Sequence, residues 1–396
     1  MAFRVSHFIL ITFTIIFAIV VGATTASKAP KLVNIINIAK FGAKPDGRTD
    51  TTRALQSAWA SACSSNKPAT IYVPTGRFFL QSAYFNGEHC NNKAINIVID
   101  GTLLAPDYRS TRNTGWIRFE KVTGVSISGG VLDGRGNDLW ACKATSGGCP
   151  TGATTLEFYG SRDIVITRLT SINSQKFHTV IDGCQNVKLQ GITISAPGNS
   201  PNTDGVHIEH SSGVAVLNSQ ISTGDDCVSI GPGSSNLWIE NINCGPGHGV
   251  SIGSLGWSLQ EPGVQNVTVK SSTFRSTENG VRIKTWARES NGFVRGVVYK
   301  DLTMVNVQNP VIIDQHYCPG ERNCPNQVAG VRISDIRYEN IHGTSANVVG
   351  LKLDCSKEHP CSGIEIEDVN LSYGNGRAHA TCVNALGSVA SLSCLI

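Results

Sequence analysis

The chain has 396 residues, 41 glycines, 13 cysteines and a net charge of +4, and only 16% of its residues are charged. This low charged fraction is typical of chains rich in strands and turns. The balance is mildly basic, but no basic stripe with stacking aromatic residues appears, which argues against a nucleic-acid partner.

Residues 1–26 are predicted to be a secretory signal peptide, and residues 27–396 are predicted to form one catalytic domain. Arg4 supplies the positive start, an apolar run follows from Phe8 to Val21, and small residues lie around Ala26. The alternative is a membrane anchor, but a run of about 14 residues is shorter than the roughly 20 needed to span a bilayer. We therefore expect a secreted protein with no membrane association once the signal is removed.

The cysteine usage fits an oxidising compartment. Six disulfides are predicted from cysteines close in sequence, although sequence does not determine connectivity. The pairs are Cys63–Cys90, Cys142–Cys149, Cys227–Cys244, Cys318–Cys324, Cys355–Cys361 and Cys382–Cys394. Cys184 is left as a small buried residue. A metal site is the alternative, but the pairs lack C-x-x-C spacing and lie far apart, so we expect no metal.

Near the mature N-terminus, residues Lys31 to Lys40 alternate apolar and polar side chains, which predicts a strand. A helix is expected from a cap at Asp50 or Thr51 to about Cys63. Its predicted apolar face comprises Ala54, Leu55, Ala58, Trp59 and Ala62. Since a solenoid must cover its open apolar end, we interpret this helix as an N-terminal cap.

Short apolar runs then predict the first strands of successive coils. They are Ile71–Val73, Phe78–Leu80, Ile95–Ile99, Thr102–Leu104, Ile117–Glu120 and Val125–Leu132. The segment from Gly134 to Pro150 is rich in glycine and bracketed by cysteines, and we predict a long loop that walls one side of a groove. Two later insertions, Gly253 to Gln265 and Asp314 to Gln327, are predicted to shape the ends of that groove.

A Val-x-Ile triplet recurs with a constant period in the middle of the chain. Val206, Val228 and Val250 are 22 residues apart, and the triplet returns at Val281 and Val311 after longer insertions. Such a period indicates a solenoid with one coil per repeat. An antiparallel sandwich is the alternative, but the strict register and the absence of hairpin alternation favour a single parallel β-helix, an all-β solenoid.

Chemical groups precede the triplets in register. Asp204, Asp226 and His248 each lie two positions before a valine, and Asp225 adjoins Asp226. Equivalent positions of stacked coils lie about 4.7 Å apart, so these residues should form one outward column. Turn preference alone explains one Asp per coil. It does not explain an Asp pair in register with a third Asp, a His and the outward-facing pair that follows, which comprises Arg282 and Lys284.

These motifs resemble the plant polygalacturonases, and the resemblance covers essentially the whole mature chain. It rests on Ser200–Gly205, Gly224–Cys227, Cys244–Gly249 and Arg282–Lys284, with agreement at Phe41–Ala43 and Tyr317. It implies a right-handed, pectin-lyase-like parallel β-helix that hydrolyses α-1,4-linked galacturonan with inversion. The chain is also similar to the exo-acting enzymes of pollen.

The resemblance also implies roles for single residues. It makes Asp225 the general acid, has Asp204 and Asp226 activate water, and assigns His248 to the hydrogen-bonding network of the site. Its substrate-binding residues are Arg282, Lys284, Tyr317 and Asn202.

The residues themselves support this chemistry. Glycoside hydrolysis needs one protonated carboxyl and one ionised carboxylate. Three crowded Asp residues cannot all ionise cheaply, so one of them should keep its proton. A uronic acid polymer carries one carboxylate per sugar, and Arg282 and Lys284, placed at least one coil from the Asp column, suit such a group.

Several alternatives stay open at this point. The rivals are a pectate lyase, a rhamnogalacturonan hydrolase, an endo-acting polygalacturonase and a non-catalytic wall-binding protein or allergen. We expect exo action, because three candidate loops could close the groove. We also expect a monomer in the cell wall that uses no cofactor and has N-glycans at Asn266 and Asn370.

Overall fold

The computed structural model describes residues 34–110, 115–145, 147–321, 323–325 and 327–389. The predicted signal peptide lies outside these ranges. Within them, no helix has the length and apolar character that crossing a membrane requires.

Strands dominate the described chain. In order they are β1 Asn34–Asn37, β2 Asp46–Asp50, β3 Ala69–Val73, β4 Arg77–Phe79, β5 Ala83–Asn86, β6 Ile95–Ile99, β7 Thr102–Leu104, β8 Gly115–Glu120, β9 Thr123–Ser128, β10 Val131–Asp133, β11 Thr154–Tyr159, β12 Arg162–Thr167, β13 Thr170–Ile172, β14 Thr179–Asp182, β15 Gln185–Gln190, β16 Thr193–Ser195, β17 Val206–Glu209, β18 Ser212–Ser222, β19 Val228–Ile230, β20 Ser235–Cys244, β21 Val250–Leu255, β22 Val264–Lys270, β23 Thr273–Arg275, β24 Asn279–Thr285, β25 Phe293–Val307, β26 Asn309–Asp314, β27 Arg332–Ser345, β28 Val349–Asp354, β29 Cys361–Tyr373, β30 Gly376–Arg377, β31 His379–Val383 and β32 Ala385–Val389. The helices are the 3-10 helices Ile38–Phe41 and Pro319–Glu321 and the α-helices α1 Thr52–Ser64 and α2 Asn137–Thr145.

One face of the solenoid is a sheet of eleven strands, one from each successive coil. Its order is β5, β8, β11, β14, β17, β19, β21, β24, β26, β28 and β31. The other strands stack in the same way, and among the described strands only β29 and β30 pair antiparallel. The predicted parallel β-helix is therefore confirmed, with the right-handed course that parallel crossovers adopt.

The Val-x-Ile triplets lie in register on the eleven-stranded sheet. Val206 pairs with Val228, Val228 with Val250, Val250 with Val281, and Val281 with Val311. All five valines are at most 1% exposed. The longer insertions loop out between coils without shifting the register, so the middle residues of the triplets form one outward row.

Residues in the left-handed backbone conformation recur at the corner where the coil leaves the eleven-stranded sheet. Nine successive coils place a residue there with φ between 55° and 68°. They are Gly124, Asp163, Asn186, Gly213, Asn236, Asn266, Gly296, Asp335 and Gly363. Gly, Asn and Asp tolerate this conformation best. Side chains bond along the row, since Asn186 donates to Asp163 at 2.6 Å and Asn266 donates to Asn236 at 3.2 Å.

Helix α1 caps the N-terminal end as predicted, and all five predicted apolar residues are buried. Its Trp59 ring lies 5.0 Å from Phe85 and 5.7 Å from Phe119, and Phe119 stacks on Phe158 at 4.8 Å. This aromatic row joins the cap to three coils of the solenoid.

Two predicted segments differ in the structure. The segment from Gly134 to Pro150 is not a loop throughout, because it contains α2. Leu139 and Trp140 are the buried residues of this helix. Two apolar residues do not make a helical pattern that stands out in a segment rich in glycine and cysteine. Among the described residues, the strand predicted from Lys31 to Lys40 corresponds to β1 and ends at Asn37. Beyond it Asn37 caps a 3-10 helix by accepting from the Ala39 N–H at 2.9 Å.

Five of the six predicted disulfides are present, in the predicted pairing. They are Cys63–Cys90, Cys142–Cys149, Cys227–Cys244, Cys318–Cys324 and Cys355–Cys361. Cys184 is free and buried, as predicted. Cys394 lies outside the described residues, so its pairing with Cys382 stays a prediction.

Replacing Phe119 with Ala should lower the free energy of unfolding by about 3–5 kcal/mol, because it removes the middle ring of the row between α1 and the coils. Val165→Ala is the matched control, since Val165 is 38% exposed on β12 and its change should stay within about 0.5 kcal/mol. Chemical denaturation with the disulfides intact measures both. Equal losses in the two variants would contradict the role of the row.

Candidate active site

Successive coils bring the predicted acidic column together at one edge of the eleven-stranded sheet. Asp204, Asp226 and His248 lie in the turns that lead into β17, β19 and β21. Arg282 and Lys284 extend from the outward face of β24, two coils beyond Asp226. The strand register carries this placement, because each of these residues has a fixed offset from a paired valine.

Asp226 is buried and bound on both oxygens. Oδ1 accepts from Arg282 Nη2 at 3.0 Å and from Ser251 Oγ at 2.7 Å, and Oδ2 accepts from Lys284 Nζ at 2.8 Å. Burial alone would raise the pKa of Asp226, but the charges of Lys284 and Arg282 outweigh it and lower the pKa. Asp226 is therefore held as a carboxylate.

Asp204 shows the opposite behaviour. Burial, reinforced by the charges of Asp225 and Asp226, raises the pKa of Asp204 to about 7. A hydrogen bond from Ser229 opposes that shift. Ser229 Oγ also lies 2.8 Å from His207 Nδ1. Because its ordinary pKa is near 4, Asp204 is the carboxyl that keeps its proton at mildly acid pH.

Asp225 is the most accessible of the three carboxyls, with 19% of its side chain exposed. Its Oδ1 accepts from the backbone N–H of Asp226 at 2.8 Å and lies 3.1 Å from His248 Nδ1. Its Oδ2 accepts from Asn202 Nδ2 at 3.5 Å, at the limit of a hydrogen bond. Asp225 therefore presents an oxygen to the groove that its neighbours bind only weakly.

His248 bridges two carboxylates. Its Nε2 lies 3.4 Å from Glu278 Oε2, on the side opposite Asp225. Burial lowers the pKa of His248, but the hydrogen bond and charge of Asp225 and the charge of Glu278 raise it above its ordinary value. The contact with His248 Nδ1 holds the Asp225 carboxyl in place.

The structure thus assembles all the predicted site residues, and the Tyr317 ring lies 5.4 Å from Lys284 Nζ. One expectation needs correction. Arg282 and Lys284 do not stand apart from the acids, because their side chains reach back two coils to pair with Asp226. Their positions in the sequence predicted which coil carries them, but not the direction in which their long side chains extend.

Sequence reasoning missed Ser229, Ser251 and Glu278. The two serines occupy the middle, outward position of the triplets at β19 and β21, so their place was available from the period. Glu278 lies three residues before Val281, the same offset as Asp225 before Val228, so its place was available from the period as well. His178 is structural: it is fully buried, it lies 2.8 Å from Ser171 Oγ, and burial lowers its pKa to about 3.

The acidic cluster also has the spacing of a cation site, since ligand atoms of Asp225, Asp226 and His248 lie within 4.8 Å of one another. Arg282 and Lys284 already supply the positive charge that Asp226 requires, so these residues do not fit a divalent ion. A separate cavity of about 660 Å³ lies toward the N-terminal coils, lined by Trp116, Gln175 and their neighbours and not by the cluster.

Clustered carboxyls on one face of a parallel β-helix are the groups that a glycoside hydrolase requires. The chain matches the glycosyl hydrolases family 28 over residues 63–394, and it belongs to that family.

Its relatives are more specific. The chain is 56% identical to a polygalacturonase of Prunus persica over 393 residues, which is 98% of each chain. It is 41% identical to an exopolygalacturonase of Platanus acerifolia, over 89% of this chain and 94% of that one. An endo-xylogalacturonan hydrolase from Aspergillus tubingensis has a similar structure, with a TM-score of 0.80 and 25% identity over 91% of this chain and 99% of that one. The chain is therefore an enzyme similar to the polygalacturonases.

Asp204→Asn and Asp226→Asn should change stability in opposite directions. The folded pKa of Asp204 lies near 7, above its unfolded value, so wild-type stability falls as the pH rises from about 4 to about 7. Asp204→Asn removes that loss and should stabilise the fold at pH 8 by at least about 1.4 kcal/mol, the equivalent of one pKa unit. This gain in the free energy of unfolding should be smaller at pH 5.

Asp226→Asn should instead destabilise the fold by about 3–5 kcal/mol at pH 8, because it leaves two buried cations without their carboxylate. Denaturant titrations of both variants at pH 5 and pH 8 measure these effects. Destabilisation by Asp204→Asn at pH 8 would contradict the raised pKa.

Proposed function

We propose that the chain is a secreted cell-wall polygalacturonase that hydrolyses α-1,4-galacturonosidic bonds with inversion. One observation carries the proposal: three carboxyls lie together, and the pKa values of two of them, Asp204 and Asp226, are shifted in opposite directions. Asp226 is ionised by two cations, Asp204 keeps a proton up to about pH 7, and Asp225 faces the groove. Carboxyls with separated protonation states are what general acid–base hydrolysis of a glycosidic bond requires.

Asp225 is the proposed general acid. Asp226 cannot donate a proton because both of its oxygens accept bonds from cations, and Asp204 is only 6% exposed. Asp225 has the oxygen most open to a glycosidic bond, and Asn202 and His248 orient its carboxyl.

Asp204 and Asp226 are the proposed partners of the attacking water. Because the three carboxyls interact, their protons belong to the set rather than to one residue. The proton that Asp204 holds in the free site must therefore move to Asp225 when Asp204 acts as a base.

Two positively charged side chains are the proposed binding site for the substrate carboxylate. Arg282 and Lys284 both pair with Asp226, and Arg282 Nη1 also lies 3.9 Å from Glu278 Oε1. The N–H groups of the two cations that Asp226 does not bind suit one galacturonate carboxylate at the catalytic centre. Tyr317 lies beside both cations, with its ring 5.9 Å from Arg282 Cζ, and so can contact the same sugar.

Asp225→Asn should reduce the rate of polygalacturonate hydrolysis by at least about a hundredfold, because it removes the proton donor. Binding of oligogalacturonate should persist, since the Arg282 and Lys284 pair is intact. Reducing-end release and calorimetric titration measure the two properties. A variant that keeps more than a tenth of the wild-type rate would move the acid role to another residue.

Exo attack is the proposed mode of action. The candidate walls are α2, tied by Cys142–Cys149, which precedes the acidic column in the chain, and the loop after β21 and the Cys318–Cys324 segment, which follow it. Closed ends admit a chain terminus more readily than an internal bond. The exopolygalacturonase of Platanus acerifolia, at 41% identity, supports the same mode.

Exo action should keep the viscosity of polygalacturonate high while monogalacturonate accumulates from the first minutes, because each cut removes only a terminal sugar. Viscosity and reducing ends are measured on the same samples, with a known endo-acting enzyme as the control. Half of the viscosity lost after a few per cent of bonds are cut, with mixed oligomers as products, would show an open groove.

A further inference from the structure

Three aromatic rings form a row that leads away from the catalytic centre. The Tyr317 ring, beside Lys284, lies 5.4 Å from Trp286, and Trp286 lies 5.3 Å from Trp257, both at interplanar angles of 70°. Trp257 ends the row and is 59% exposed. The row is therefore continuous with the proposed site for the substrate carboxylate.

The loop that presents Trp257 is held by several hydrogen bonds. The Glu261 carboxylate accepts from the backbone N–H groups of Gly256 and Trp257, the latter at 3.2 Å. The backbone N–H of Asn291 donates to the Leu259 carbonyl at 2.8 Å. A single exposed Trp is ordinary on a protein surface, but this one is fixed in place at the end of an aromatic row that begins beside Lys284.

Arg288 adds a positive charge to the same surface. Its guanidinium lies 4.3 Å from the centre of the Trp257 ring and 5.7 Å from that of Trp286. Its Nη1 donates to the Trp257 carbonyl at 3.4 Å. A guanidinium has five N–H donors, so others are available for a ligand carboxylate.

We propose that Trp257, Trp286 and Arg288 form a platform that binds a galacturonate residue of the polymer outside the catalytic centre. The apolar C–H face of the sugar packs on the Trp257 ring, and its carboxylate pairs with Arg288. The inference rests on the proposed function for its ligand class. It gives a role to the segment from Trp257 to Gln260, which the motifs of the acidic column leave unexplained.

The test compares oligogalacturonates of two lengths in the Asp225→Asn background, where hydrolysis does not obscure binding. Trp257→Ala should weaken binding of the hexamer about tenfold and leave binding of the dimer unchanged, because only the longer chain reaches the platform. Trp257→Phe keeps an aromatic ring and should lose less affinity for the hexamer. Trp238→Ala is the control, since Trp238 is 42% exposed on β20, outside the eleven-stranded sheet.

Arg288→Gln tests the charge. It should weaken binding of the acidic hexamer and leave binding of the fully methyl-esterified hexamer unchanged, because esterification removes the charge of the carboxylate. Calorimetry measures all of these affinities. Equal affinity of the Trp257→Ala variant and its parent for the hexamer would overturn the platform, as would equal losses for dimer and hexamer.

The same measurements separate the two proposals. If the wild-type chain releases no sugar from polygalacturonate but hexamer binding still depends on Trp257, the proposed hydrolysis fails and the platform stands. If hydrolysis is seen and hexamer binding is independent of Trp257, the reverse holds.

Discussion

The left-handed corner at the edge of the eleven-stranded sheet is the constraint on which the rest of the structure depends. Nine successive coils turn there on a residue with φ near 60°, so the turn falls at the same point in each of them. The coils therefore keep a common register even where insertions lengthen them. That register stacks Asp204, Asp226 and His248 and places Ser251 and Arg282 on the rungs that follow. A shift of one residue in a single strand would turn its outward side chains into the core.

The electrostatics of the site follow from how this stack is buried. Three acids on adjacent rungs would repel one another, and two cations from a coil farther along relieve the repulsion at one of them. Asp226 receives both cations and ionises, whereas Asp204 receives a serine hydroxyl and keeps its proton. Two residues of the same type thus differ in protonation because their surroundings differ. The same cations lie where the carboxylate of an acidic substrate is proposed to bind, which links the protonation of the site to its proposed specificity.

Much of the fold could be read from local patterns because a solenoid is held by contacts between neighbouring coils. The buried face of α1 follows from helical periodicity, and the strands β17, β19 and β21 follow from a period of two within a period of 22. Helix α2 was missed because only Leu139 and Trp140 mark its buried side. The strand before Ile38 was predicted too long because alternation continues into a 3-10 turn that Asn37 caps.

The sequence by itself determined which residues share the face of the solenoid, since a constant coil length converts sequence spacing into spatial order. Asp204, Asp226, His248 and Arg282 could be placed in this way. Only the tertiary structure decided that Asp226 takes both cations and that Asp204 retains a proton. Those outcomes depend on burial and on how far the Arg282 and Lys284 side chains reach across two coils. Neither quantity is a function of spacing along the chain.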